Sequence, residues 1–517
     1  MSETTPMTAT VFRWSSRSAD DLFPVEDPAT GEVIALVQGG GADEVDAAVR
    51  AAHHAFEGHW RSRPPQERAR LLLRCADVLA AHADELAALE SLENGKPVGD
   101  ARMFDVGFLI DVFRFFGSLV DKLPGEFYDK GAVHASVVLE PLGVVGGIIP
   151  FNWPPIHTGG KIAPALAVGN TVVLKPSEQA PLTIMRIVDL LNTVLPPDVL
   201  HAVPGLGPTA GQALAGHPLV RKVSFTGSTA AGRAVARTAA GNLTPVLLEL
   251  GGKNAFLVFD DADLDRAVRD ALEGGYFNKG EACTAASRIL VQRGVHDDFV
   301  ERLAAGVRAL RVGSGADPTT HVGPVVSRAQ QERVLDYLRI GTAEGAVVAA
   351  QAALPDDPAL AGGFFVAPTL FTGVRRDMRV AVEEVFGPVV TVTAFDTEEE
   401  AVAIANESEF GLMCGVYSRD AERALRLARR IDVGTVFVNN YFRGILGTPF
   451  GGTKHSGYGR EHSIETLKEF GYAKAIRTPS GLGSIPSWRA VTDIFGPAGS
   501  EIATGEAADA QHPCHAK

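Results

Sequence analysis

From residue 143 to 250 the chain alternates short apolar runs with longer segments in which apolar residues recur every three or four positions. GVVGGII, TVVLK, HAVPG, KVSF and VLLEL have the look of buried strands, whereas KIAPALAVG, PLTIMRIVDLLNTV, PTAGQALAGH and STAAGRAVARTAA carry helical spacing. This alternation predicts a parallel sheet with helices on both faces. The pattern resumes later: VHDDFVERLAAGVRAL, AVAIANES and AERALRLARRI read as helices, RILVQ and GTVFVN as strands. Upstream, Leu72, Cys75 and Leu79 fall on one face of a helix. The class is α/β, and 517 residues are enough for more than one core.

Composition narrows the function. Hydrophobic residues make up 46% and charged residues 21%, with no window approaching the roughly 18 uncharged apolar residues of a membrane span. The N-terminus MSETTPMTATVFRW lacks a basic stretch followed by an apolar one, so a cytoplasmic protein is expected. A net charge of −14 with no basic cluster argues against nucleic acid and anionic membranes as partners. The 14 histidines show no HExxH or similar metal-ligand spacing.

Four cysteines, at 75, 283, 414 and 514, are too scattered for a disulfide framework. Cys75 belongs to a helical core pattern, Cys414 to the apolar run GLMCGVYS, and Cys514 to a polar tail. Cys283, in FNKGEACTAASR, follows the Gly280 break without clean periodicity. It reads as a loop thiol, either packed or chemically used.

Three strand ends carry candidate chemistry, since ligands of parallel sheets bind beyond the carboxyl ends of strands. KVSF leads into TGSTAAGR, where the Gly227 turn and Ser228 open a helix that either holds a phosphate or is simply capped. TVVLKPSEQAP brings up Lys175 and Glu178, suited to a ribose diol or to a solvated surface pair. GGIIPFNWPP sets Asn152 at a strand end that prolines terminate, as an oxyanion donor or a turn cap.

Taken together, PFNWP (150–154), KPSEQAP (175–181), FTGST (225–229), LELGGK (248–253), NKGEACTAASR (278–288), EEVFGP (383–388) and PFGGTKHSGYGRE (449–461) resemble the NAD(P)-dependent aldehyde dehydrogenase superfamily, in family order and over nearly the whole chain. The resemblance implies that Cys283 is the nucleophile, whose addition to an aldehyde gives a thiohemiacetal able to lose hydride. It implies Asn152 as oxyanion donor, Glu249 as the base that hydrolyses the thioester, and Glu461 as an aid to proton relay. For the cofactor it implies Lys175, Ser177 and Glu178 at the adenosine ribose, Gly227 and Ser228 at the pyrophosphate, Glu384 at the nicotinamide ribose, and Phe386 and Phe151 beside the nicotinamide. Glu178 would repel a 2′-phosphate, which favours NAD over NADP.

The implied fold is a Rossmann-variant NAD-binding domain (1–122 and 143–252), an α/β catalytic domain (253–455), a small β oligomerisation element (123–142 and 456–480) and a partly disordered extension (481–517). A homodimer or homotetramer is expected from the exposed edges of bridging strands. Phe151, Trp153 and Phe450 are expected to line the aldehyde tunnel. Departures from the family concern the substrate. Gly160 stands where relatives often carry a bulky residue, commonly Trp, and His157 and Arg443 where apolar or uncharged residues are frequent. Arg443 or His157 would suit a polar or carboxylate-bearing aldehyde such as a semialdehyde. Lys279 and Glu281 replace glutamines common in relatives. A CoA-acylating relative usually lacks the base at Glu249, and a non-catalytic protein on this fold would be expected to lose Cys283, Asn152 or Glu249, so hydrolysis to a free acid is the expected outcome.

Overall fold

The computed structural model describes residues 10–12, 22–441 and 445–496. Arg443, Cys514 and the 497–517 part of the extension therefore lie outside the described residues. The expected α/β class is the one observed. Contacts divide the chain into a large unit, 1–123 with 140–472, and a small one, 124–139 with 473–517.

Within the large unit, β1 (Val144–Ile148), β2 (Thr171–Lys175), β3 (Leu200–Ala202), β4 (Val220–Thr226) and β5 (Val246–Glu249) form a parallel sheet in the order β5-β4-β1-β2-β3. The short strand Gly457–Tyr458 pairs antiparallel with β5 and closes that edge. Every residue of β1 and β2 is buried, which is why these strands read as unbroken apolar runs. Strand order reverses between β1 and β4, so the loops leaving those two strands splay apart and leave a crevice.

A second sheet holds β6 (Ala255–Val258), β7 (Arg288–Gln292), β8 (Val347–Gln351), β9 (Thr369–Thr372), β10 (Val389–Phe395), β11 (Met413–Tyr417) and β12 (Thr435–Val438), ordered β8-β9-β10-β7-β6-β11-β12. Only β8 runs antiparallel to its neighbour. Its central strands bury Phe256, Val258, Ile289 and Val291 against Phe299, Leu303 and Val307 of a flanking helix. Cys75 is fully buried in a helix and Cys414 in β11, both as expected of packed thiols.

Two helices carry site residues. α1 (Pro154–Val168) starts on two prolines, suited to a first turn whose N–H groups have no helical partner, and ends at Gly169 with φ 110°. α2 (Thr229–Ala240) is capped by Ser228, whose Oγ accepts from the Ala231 N–H at 3.2 Å. The small unit is a three-stranded sheet in which Val133–Pro141 lies between Gly471–Pro479 and Glu126–Asp129, followed by a short helix, Arg489–Phe495.

Candidate active site

The turn that follows β1 is clamped from behind. The Asn94 amide donates to the Phe151 carbonyl at 2.6 Å, while Lys96 Nζ and Asn278 Nδ2 donate to the Asn152 carbonyl at 3.2 and 2.9 Å. The Asn152 backbone is thus fixed, yet its side-chain Oδ1 is buried without a hydrogen-bond partner. The loop carrying Cys283 joins the same clamp. Asn278, Lys279 and Gly280 hold φ of 50°, 63° and 67°, a left-handed run that only glycine adopts without strain. The Lys279 ammonium meets Glu281 at 3.0 Å and donates to the Asn94 carbonyl at 2.8 Å, and Glu281 Oε1 accepts from the Val326 N–H at 3.1 Å. On the far side, Asn254 Nδ2 donates to the carbonyls of Cys283 and Ala285 at 2.8 and 2.9 Å.

Three carboxylates surround the thiol in different states. Burial pushes the Cys283 thiol up, and the charges of Glu384 and Glu249 push it the same way. Glu249, at the end of β5, is buried with neither carboxylate oxygen hydrogen-bonded, and burial followed by the Glu461 charge holds it well above the usual carboxylate range. Glu461 is equally buried, but Lys161 Nζ of α1 lies 3.1 Å away and also donates to Thr226 Oγ1 at 2.8 Å and Ser224 Oγ at 3.2 Å. Burial raises Glu461, and the Lys161 ammonium with its hydrogen bond, together with His462 and His157, more than offsets it, so this carboxyl stays below its ordinary value. Glu384 accepts from the Gly252 N–H at 2.8 Å and is raised by burial to about 7.

The crevice between β1 and β4 holds a cavity of about 290 Å³ lined by Phe151, Asn152, Gly227, Ser228, Cys283, Glu384 and Phe386, among others. Residues from five of the seven separated motifs, Leu250 and Gly251 of LELGGK included, thereby line one cavity. Phe151 and Phe386 meet edge to face with centroids 5.7 Å apart, and Phe386 carries φ 60°. Lys175 is buried at the end of β2 and pairs with the half-exposed Glu178 at 2.9 Å, which removes the reading of a solvated surface pair. Ser177 beside them accepts from the Gln179 N–H at 3.3 Å.

Of the residues expected along an aldehyde tunnel, Trp153 packs on Phe277 with the Lys96 ammonium 4.7 Å from its ring centre. Phe450 stacks on His462 at 5.2 Å, and His157 and Gly160 lie on α1 beside Glu461 and His462. Several residues of the site were not singled out in sequence. Lys161, Lys96 and Asn278 belong to no charged cluster and read as ordinary polar positions. Gln330 and Arg333 line the cavity from a helix whose own pattern is unremarkable, and Arg333 donates to the Glu384 carbonyl at 2.7 Å. Lys161 had one usable signal: a lysine inside an otherwise apolar helix needs a buried partner.

No group of His, Cys, Asp and Glu among the described residues could hold a metal ion, and none of their helices is long and apolar enough to cross a membrane.

The chain was then compared with known proteins. Residues 14–476 match the model of the aldehyde dehydrogenase family. The aldehyde dehydrogenase citD of Monascus ruber is 60% identical over 483 residues, covering 93% of this chain and 96% of that protein. The betaine aldehyde dehydrogenase of Mesorhizobium japonicum is 41% identical over 460 residues, 89% of this chain and 94% of its own. Among solved structures, betaine aldehyde dehydrogenase from Staphylococcus aureus in complex with NAD+ superposes with a TM-score of 0.88 at 38% identity, covering 92% of this chain and 95% of that one. The NAD+ complex of an aldehyde dehydrogenase from Bacillus cereus gives 0.86 at 39% identity over 89% and 93%. On a match that spans most of its length and takes in the Cys283 loop, this chain belongs to the aldehyde dehydrogenase family.

Proposed function

We propose that this enzyme oxidises an aldehyde to the free carboxylic acid with NAD as acceptor, through a thioester on Cys283. The observation that carries this reading is Glu249, a buried carboxylate with both oxygens unpartnered beside a half-buried thiol. Raised as it is, Glu249 is a better proton acceptor at neutral pH than an ordinary glutamate.

The residues present fit the dinucleotide. The crevice at the switch point joins the Gly227–Ser228 turn to Glu384 and Phe386, and Lys175 and Glu178 stand past the end of the neighbouring strand. When bound there, NAD accepts the hydride from the thiohemiacetal carbon. Glu178 and Glu384 would take the ribose hydroxyls, and a carboxylate at Glu178 disfavours a 2′-phosphate.

Cys283 gives up its proton to Glu249 and its sulfur bonds to the aldehyde carbon. The Asn152 amide and the Cys283 N–H then stabilise the oxyanion, and loss of one such donor typically costs about 10²–10³ in rate. Glu249 passes that proton on and, after oxidation, takes another from water. The water oxygen attacks the thioester, the C–S bond breaks, and the sulfur leaves as thiolate. The Lys161–Glu461 pair lies behind Glu249 and gives its proton a buried, charged route onward.

We also infer a homo-oligomer in which Glu126–Asp129, an edge strand with exposed Phe127 and Tyr128, pairs with a second copy. The division into an NAD-binding domain around the first sheet and a catalytic domain around the second belongs to the same reading.

The test is NADH formation at 340 nm over aliphatic, aromatic and carboxylate-bearing aldehydes, with Cys283→Ala as blank. Turnover to acid that is lost in the variant supports the reading. Turnover only when CoA is added, or none with any aldehyde, overturns it.

A further inference from the structure

His157 and His462 make a polar patch beside the catalytic carboxylates that no group among the described residues completes. Trp153, His157 and Lys161 recur at intervals of four, so α1 presents them on one side with Gly160 between the latter two. Lys161 on that side is bonded to Glu461, and His462 follows Glu461 with its Nε2 3.9 Å from the carboxylate. A Cβ built on Gly160 would stand 3.6 Å from both His462 Nε2 and Glu461 Oε2, in ordinary contact. The charges that bear on His157 are those of Lys161, Glu461, His462 and Lys96.

Both histidines are buried, and Nδ1 and Nε2 of His157 and Nε2 of His462 have no hydrogen-bond partner. Buried ring nitrogens are normally paired, because leaving them dry and unpaired costs free energy. The second ring is also deliberately held. It stacks on Phe450 at 5.2 Å and meets the edge of Phe108 at 5.1 Å. Its backbone has φ 66°, kept in place by the Gly447 N–H bond to the His462 carbonyl at 2.8 Å and by the paired Phe450 and Glu461 backbones at 2.9 and 2.7 Å.

Burial pushes the His157 imidazole down to about 3, with Lys161 acting in the same direction, and burial lowers His462 as well. Each ring is therefore neutral near pH 7 and offers one donor and one acceptor. Among the described residues a substrate carboxylate would find no free cation here, since Lys161 is spent on Glu461, Ser224 and Thr226, and it would face two carboxylates. A quaternary ammonium has nothing for an imidazole to bond.

We propose that His157 and His462 are specificity-determining residues for the aldehyde, recognising a neutral hydroxyl or carbonyl oxygen on a ring-bearing substrate, several bonds from the reacting carbon. The Phe108 and Phe450 rings supply the apolar walls, and Gly160 adds no side chain beside the two histidines. The inference rests on the aldehyde-oxidising function proposed above.

The test compares benzaldehyde, its three monohydroxy isomers and 3-carboxybenzaldehyde in the full chain with NAD. At least one hydroxy isomer is expected to exceed benzaldehyde in kcat/KM by roughly tenfold, the worth of one good hydrogen bond, and the carboxylate to fall below both. His157→Leu and His462→Asn, the latter chosen because asparagine tolerates the left-handed backbone, are expected to bring the hydroxy preference within about twofold. Quenching of protein fluorescence by NAD reports that each variant is folded. Absence of the preference in the wild type, or its survival in both variants, overturns the inference. Should no aldehyde turn over, the proposed function fails on its own. The pair is then judged by calorimetric binding of the same compounds to Cys283→Ala with NAD, where equal affinities, or no binding at all, overturn it.

Discussion

Two buried charge clusters flank the Asn152 turn, and they differ in how their charges are met. Behind the turn, Lys96 lies 2.9 Å from Glu90 and 2.6 Å from Asp105, and Lys279 lies 3.0 Å from Glu281. Burial pushes the Lys96 ammonium down, and the two carboxylates more than offset this and hold it above its ordinary value. In front, Lys161 meets one carboxylate, Glu461, and the hydroxyls of Thr226 and Ser224, while Glu249 is left bare. The rear cluster closes its charges on itself and spends its spare donors on the Phe151 and Asn152 carbonyls, through Asn94, Lys96 and Asn278. The front one leaves an acceptor open. Burial raises carboxyl groups in both, so a shifted proton affinity does not by itself tell chemistry from support. The partners differ: each rear carboxylate has a lysine within 3.0 Å, whereas neither oxygen of Glu249 is hydrogen-bonded.

The largest effect should come from closing the open acceptor. Glu249→Gln keeps the shape and removes the base, so steady-state turnover should fall by about 10²–10⁴-fold. A first-turnover burst of NADH should survive if Glu249 is needed mainly for hydrolysis, and disappear if it is also the acceptor of the Cys283 proton; rapid-mixing absorbance separates the two. A variant that turns over like wild type would erase the distinction between the clusters. Lys96→Met is the matching test behind the turn. It strands Glu90 and Asp105 without a cation and takes a donor from the Asn152 carbonyl, so it should cost about 3–5 kcal/mol in denaturant unfolding. An unchanged midpoint would mean that the rear cluster supports nothing.

A subtler measurement reads how the clusters speak to Glu249. A base held above the usual carboxylate range is idle at low pH, so kcat should climb as pH rises through that raised value. The Glu461 charge is, after burial, the largest cause of the rise. Glu461→Gln removes it and should move the rising limb of the pH profile to lower pH, whatever happens to the maximum. A limb that stays put, or moves up, would mean that the two carboxylates do not share a field.

How much of this was legible in the sequence follows the same division. The alternation between 143 and 250 foretold β1, β2, β4 and β5 because these strands are buried almost throughout, Arg221 being their one exposed position, and so keep short apolar runs. β8, mostly exposed and bulged against β9, is an edge strand whose run AVVAA is not told from a helix by periodicity. At the site, Cys283, Asn152 and Glu249 stood out through motif resemblance. Lys161 and Lys96 did not, because their role lies in partners 300 and 9 residues away along the chain, and such pairings exist only after folding. Phe386 and His462 carry left-handed backbones that no side chain announces.

The smallest expected effect is the sharpest test of what the rear cluster is for. Lys279 and Glu281 are both fully buried and bonded to each other. If the pair acts only as a closed unit, Lys279→Gln alone should cost about 3–5 kcal/mol, since Glu281 then keeps a buried charge without its cation, and Glu281→Gln alone should do likewise to Lys279. The double variant removes both charges while preserving length and hydrogen-bonding groups, so its stability should return to within about 1 kcal/mol of wild type, a coupling large enough to read in a double-mutant cycle. Additive costs would show instead that each residue works through a separate contact, Lys279 through the Asn94 carbonyl and Glu281 through the Val326 N–H. The rear cluster would then be two independent props for the Cys283 loop, and its contrast with the unpaired Glu249 would rest on Lys96 alone.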